Sequence, residues 1–144
     1  MKRRNKFILI AAILIIAIAS YYIWFFNSSP YLDASKISSI TQYRYPSPPE
    51  IITISDEATI QQFVEYFNKL EFIPIIYIQI GFSGGWYARD DIEFKNSVMY
   101  EISGINKYDD NYMLVSVKRR LYYKVNLTSY YNLLDIISNT RNDQ

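Results

Sequence analysis

The chain has 144 residues, half of them hydrophobic and 17% aromatic, with fifteen basic and fourteen acidic side chains and a net charge of +1. It contains no histidine and no cysteine. That excludes the commonest general base and metal ligand, along with thiolate nucleophiles, disulfides and a cysteine-borne lipid, and no cofactor is expected.

The first six residues carry four cations, Lys2, Arg3, Arg4 and Lys6, and residues 7–26 that follow are uncharged and mostly apolar. Twenty residues at 1.5 Å each give a helix of about 30 Å, the thickness of a bilayer's hydrocarbon core. The spacing predicts a transmembrane helix over 7–26, with the lipid bilayer as its partner. Cationic flanks stay on the cytoplasmic side, so the remainder is expected outside the membrane. Ala17-Ile18-Ala19 before Ser20 also has the form of a signal-peptide cleavage site, and secretion after cleavage near Ala19 is the alternative. Against cleavage, Tyr21, Tyr22, Ile23, Trp24, Phe25 and Phe26 prolong the apolar run and end it with rings suited to a membrane–water interface. Without its four N-terminal cations the chain has eleven basic and fourteen acidic residues, a net of −3, which gives it no attraction to nucleic acid.

Residues 27–36 read as a linker, broken at Asn27-Ser28-Ser29-Pro30, and 37–138 as one extracytoplasmic domain with a polar tail over 139–144. A first strand is predicted at 37–45, with Ile37, Ser39, Thr41, Tyr43 and Tyr45 on one face and Ser38, Ile40, Gln42 and Arg44 on the other. Pro46-Ser47-Pro48-Pro49 breaks it, and 50–54 forms a second strand. Ser55 or Asp56 caps a helix over 57–70 that buries Ile60, Phe63, Val64, Phe67 and Leu70, with a Glu65–Lys69 pair on its wet side.

A strand at 75–82, opened by Pro74, is expected to turn at Ser83-Gly84-Gly85 into a partner strand. In that partner Trp86, Ala88, Asp90, Ile92 and Phe94 alternate with a water-facing set, Tyr87, Arg89, Asp91 and Glu93. Strands at 98–103, 112–117 and 121–125 follow, separated by a loop at 104–111 and a turn at Lys118-Arg119-Arg120. A last helix, capped by Asn126 or Thr128, buries Tyr130, Leu133, Leu134 and Ile137. The order ββαβββββα predicts an α+β fold, an antiparallel sheet with two helices on one face.

Three strings, Lys36-Ile37-Ser38-Ser39-Ile40, Ile52-Thr53-Ile54-Ser55-Asp56 and Leu121-Tyr122-Tyr123-Lys124-Val125, give the chain a family likeness. It resembles small membrane-anchored envelope proteins of low-G+C Gram-positive bacteria, a domain family of unknown function. The likeness implies a fold and a location and no activity. The chain departs from the pattern in lacking a lipobox cysteine and in carrying Lys118-Arg119-Arg120 where a turn pair such as Asn-Gly is expected.

No string of residues carries recognisable catalytic chemistry, and an enzyme is not expected. Asp90, Asp91 and Glu93 read as a solvated strand face rather than a calcium site, because strand geometry sends Asp90 to the opposite side from the other two. Asp109 and Asp110 read as a polar loop tip, and the glycines from Gly81 to Gly85 as a hairpin, not a phosphate loop. A carboxylate-type enzyme would need two of Asp90, Asp109 and Asp110 to converge in a cleft. The partner-binding candidates are the basic residues Lys118, Arg119, Arg120 and Lys124 and the aromatics Tyr87 and Tyr122. Together these features predict an interaction or accessory module binding an envelope protein or peptide through a sheet edge or aromatic face. Small-ligand or wall-polymer binding is the alternative.

Overall fold

A computed structural model of the chain describes residues 3–27, 29–45, 50–76, 87–118 and 121–140, the side chains of 3–5, 25, 26 and 106 aside. Helix α1 (Arg3–Asn27) is one unbroken rod. Its Lys6–Trp24 segment is long and apolar enough to cross a membrane, and none of it is buried inside the molecule. A signal sequence passes the same test.

The chain then passes through a short 3-10 turn, Ala34–Lys36, into β1 (Ile37–Arg44), β2 (Glu50–Ile54) and helix α2 (Glu57–Phe67). Asp56 caps α2 by accepting from the Thr59 amide at 2.8 Å, a bond that satisfies one of the four orphan donors at a helix start. Strands β3 (Ile73–Ile75), β4 (Ala88–Phe94), β5 (Met99–Lys107), β6 (Tyr112–Val117) and β7 (Leu121–Asn126) lead to α3 (Leu127–Asn139). The fold is α+β, and its element order is the expected one.

All seven strands join one antiparallel sheet in the order β2-β1-β4-β5-β6-β7-β3. Helices α2 and α3 touch each other and lie on one face. Phe63 and Phe67 of α2 and Tyr130, Leu133, Leu134 and Ile137 of α3 share a core with Ile40, Ile92, Ile102, Val115, Tyr123 and Val125 of the sheet. Such fully buried rings are what a disulfide-free domain depends on: truncating one to alanine costs about 3–5 kcal/mol. Leu32 belongs to the same core at 1% exposure, only five residues after α1 ends.

Several expectations need correction. A bulge between Ile37 and Ser39 turns Ile37 inward with Ile40 and Gln42, so a strict period of two misplaced it. Helix α2 stops at Phe67, and Glu65 accepts from Gln61 at 2.9 Å rather than pairing with Lys69. Residues 77–82 of the strand predicted at 75–82 lie outside the described residues; the strand seen there, β3, starts at Ile73 and has Pro74 at its centre, tolerable because it is an edge. Its neighbour is β7, not β4; the Ser83-Gly84-Gly85 turn lies outside the described residues. Finally, β5 runs through Gly104 to Lys107, absorbing much of the predicted loop with a bulge between Gly104 and Asn106.

Antiparallel pairing sets the start of β1, the end of β4, the end of β6 and the end of β3 at one end of the sheet. Helix α1 arrives there. Trp24, Pro30 and Tyr31 bound a hollow of about 220 Å3 with Lys118, Leu121 and Tyr123.

Candidate functional site

The most unusual chemistry lies under α3, at residues that pattern alone places on the inner face of the sheet. Asp90 stands directly opposite Gln42 across the β1–β4 pair, and both are fully buried. Its Oδ1 accepts from Gln42 Nε2 at 2.9 Å, while its Oδ2 has no partner. Gln42 Oε1 in turn accepts from Arg44 Nε at 3.0 Å and from the Ser138 hydroxyl at 3.4 Å, and Arg44 Nη2 reaches Asp135 on α3 at 3.0 Å. A line of polar groups therefore runs from the buried carboxyl to the half-exposed Arg44–Asp135 ion pair.

Small residues make room for this arrangement. Ala88 pairs with Gly104 one step along the sheet, and the Tyr130 ring of α3 comes down onto Gly104. A Cβ at Gly104 would lie 2.6 Å from both Cε1 and the hydroxyl of Tyr130, so only glycine fits beneath that ring. The Tyr130 hydroxyl sits against the Gly104 backbone, is buried, and makes no hydrogen bond of good geometry.

Burial dominates the electrostatics. It pushes the Asp90 carboxyl up to about 7, against the opposing Gln42 hydrogen bond and the Arg44 charge. It also holds the Tyr130 hydroxyl well above its ordinary value, with the nearby Asp90 charge adding to the effect. The outer rim is aromatic: Tyr87, 44% exposed, meets Tyr131 edge-on at 5.4 Å. Burial and Tyr131 raise the Tyr87 hydroxyl too.

Asp90 lies on the opposite side from Asp91 and Glu93 as expected, and its burial corrects the reading of it as solvated. Only Asp91 and Glu93 face outward, and both are half-buried: Asp91 pairs with Arg89 at 2.6 Å, and Glu93 accepts from Ser39 at 3.2 Å. Asp109 Oδ1 accepts from the amides of Asn111 and Tyr112, closing the β5–β6 turn. That turn begins beyond Lys107, five residues along β5 from Asp90's neighbour Ile102, a separation on the order of 15 Å at about 3.3 Å per residue. The three carboxylates do not converge.

The predicted partner-binding residues do not form one patch. Lys118, exposed and at a φ of 54°, turns β6 toward β7 at the α1 end with its ammonium 5.0 Å from the Tyr100 ring centre. Tyr122 and Lys124 project from the outer face of β7, and Lys124 lies over the rings of Tyr108 and Tyr112 at 4.9 and 5.2 Å. Tyr87 sits at the other end of the sheet beside α3. Arg119 and Arg120 lie outside the described residues.

The two sheet edges differ. Strand β3 is three residues long and carries Pro74 at its centre, which removes a donor and blunts pairing. Strand β2 is five residues long, has no proline, carries one charge, Glu50, and exposes Ile51 by 57%. Among the described residues nothing pairs with its outer side.

Comparison with protein-family models, curated proteins and solved structures finds no match.

Proposed function

We propose that this chain is a single-pass, membrane-anchored, non-catalytic interaction module whose domain lies outside the membrane, resembling small Gram-positive envelope proteins. There it receives an extended segment of another envelope protein along β2. The observation that carries this reading is the asymmetry of the edges. A free edge presents a row of unpaired amides and carbonyls to any extended chain, and natural domains usually blunt it with proline, charge or shortness. Here β3 is blunted and β2 is not. Anchoring is supported by the continuity of α1 through Ala19 to Asn27, by its basic start, and by Tyr21, Tyr22 and Trp24 near its far end.

The test is affinity purification of the full-length protein from its own cells beside Ile51→Lys, which places a charge on the edge without touching the core. A stoichiometric envelope protein captured by the parent and lost from the variant supports β2 recruitment. Equal capture by both would remove it.

One observation favours a second reading, small-ligand or wall-polymer binding beneath α3: Asp90 Oδ2 and the Tyr130 hydroxyl are buried without partners. A ligand engaging them raises the melting temperature in proportion to the logarithm of its concentration, which a pure protein binder does not show with small molecules.

A further inference from the structure

We infer that the segment received along β2 is the membrane-proximal stretch of a second single-pass protein, running outward from the bilayer and antiparallel to β2. This rests on the anchored, β2-recruiting reading above. The last turn of α1 meets the sheet at one end, where Trp24 shares a hollow with Lys118, Leu121 and Tyr123. The other end of every strand therefore lies farther from the bilayer. Strand β1 starts at the near end, and β2 pairs with it antiparallel, Ile54 against Ile40 and Glu50 against Arg44. So β2 runs toward the membrane, and an antiparallel neighbour runs away from it. Every strand pair in this sheet is antiparallel, which is also the slightly stronger pairing per residue. A chain that leaves the bilayer after a helix with a cytoplasmic N-terminus runs in that direction.

Distance narrows the partner further. Ile40 follows closely on the start of β1 at Ile37, so Ile54 stands about 10 Å from the near end and Glu50 about 13 Å beyond it, at about 3.3 Å per residue. A partner reaches that stretch within roughly the first ten residues after its own helix. Helix α1 lies against β3, and β2 forms the opposite edge of the sheet, about 29 Å away across the intervening strand spacings. A helix is about 10–12 Å across, so a partner's helix rises beneath β2 without meeting α1. A second copy does not fit. In the same bilayer its β2 also runs toward the membrane, which leaves only parallel pairing. Side chains set the pattern of the segment, because cross-strand neighbours share a face. Positions opposite Ile52 and Ile54 lie on the helix-covered face and take apolar residues. Those opposite Ile51 and Thr53 lie on the outer face and take β-branched or aromatic ones, and the position opposite Glu50 excludes a carboxylate.

The test is photo-crosslinking of the full-length protein in intact cells, with a photoreactive residue in place of exposed Glu50 or exposed Thr53 and each adduct mapped by peptide mass spectrometry. Both positions are expected to join the same membrane protein, within roughly ten residues after its apolar helix. The Thr53 adduct should lie about three residues closer to that helix than the Glu50 adduct, as antiparallel register requires. Ile51→Lys should remove both. Adducts in the reverse order, ahead of a membrane helix, or remote from any helix overturn the juxtamembrane assignment and leave recruitment along β2 standing. Adducts with a second copy alone, with no protein, or surviving Ile51→Lys overturn both. Alkaline carbonate extraction checks the orientation. The parent protein should stay in the membrane fraction, and its release would overturn anchoring and this inference with it.

Discussion

Asp90→Asn should abolish most of the pH dependence of stability between pH 5 and 8. Asp90 is fully buried, with its carboxyl raised to about 7 by burial and one oxygen left without a partner. In the unfolded chain the same group titrates near 3.9. The native state therefore holds the proton more tightly, and the stability it confers is fully present below about pH 4 and lost as pH rises through about 7. Between pH 5 and 8 this linkage amounts to about 3 kcal/mol, equivalent to roughly 10–15 °C in melting temperature for a domain of this size. The chain has no histidine and no cysteine, the side chains whose ordinary values lie in or nearest that window. Asparagine keeps the Gln42 contact and carries no charge, so the variant should be nearly pH-independent and, at pH 8, more stable than the parent. The assay is thermal or chemical unfolding of the full-length protein in detergent across pH 5–8. A flat parent profile, or an Asp90→Asn profile that keeps the parent's slope, would refute the reasoning.

Below about pH 4 the slope should reverse, because Asp33 and Asp56 are held below their usual value by hydrogen bonds from Ser35 and Thr59 and lose those bonds on protonation. Asp56→Ala should remove the α2 cap, read as a lower melting temperature at neutral pH. Gly104→Ala drives a methyl into the Tyr130 ring and should cost about 1–3 kcal/mol, with Tyr130→Leu added in the same chain recovering part of the loss. Tyr130→Phe should be neutral or stabilising by up to about 1 kcal/mol, since it deletes a buried hydroxyl that satisfies no partner; a clear loss of stability would mean that the hydroxyl is satisfied in solution.

Much of this architecture was legible in the sequence because local physics decides it. The 3.6-residue periodicity located the apolar faces of α2 and α3 down to Phe63, Phe67, Tyr130 and Ile137, and side-chain chemistry narrowed the caps to Ser55 or Asp56 and to Asn126 or Thr128, of which Asp56 and Asn126 do the capping. What escaped was long-range. No local pattern says that β3 crosses to the far edge beside β7, or that a bulge turns Ile37 inward. Gly104 looked like a loop residue because the ring that requires it arrives from α3, 26 positions later.

Asp90 is the instructive case. Strict alternation already placed it on the inner face between Ala88 and Ile92, yet a carboxylate among two other acids reads as solvated. The deciding fact, a glutamine opposite it on β1, is visible only once the strands are paired. The partner-binding residues scattered for a related reason: Lys118, Lys124 and Tyr87 are neighbours in type, and the sheet separates them. The edge asymmetry depended on strand order in the same way.

The most direct measurement is site-specific photo-crosslinking in intact cells, with a photoreactive residue at Ile51 on β2 and a control at Tyr108 beyond the opposite end of the sheet from α1. Recruitment along β2 requires a discrete adduct with another envelope protein from position 51 and none of matching mass from position 108. An adduct pattern identical at the two positions, or one containing only lipid or a second copy of this chain, would contradict it.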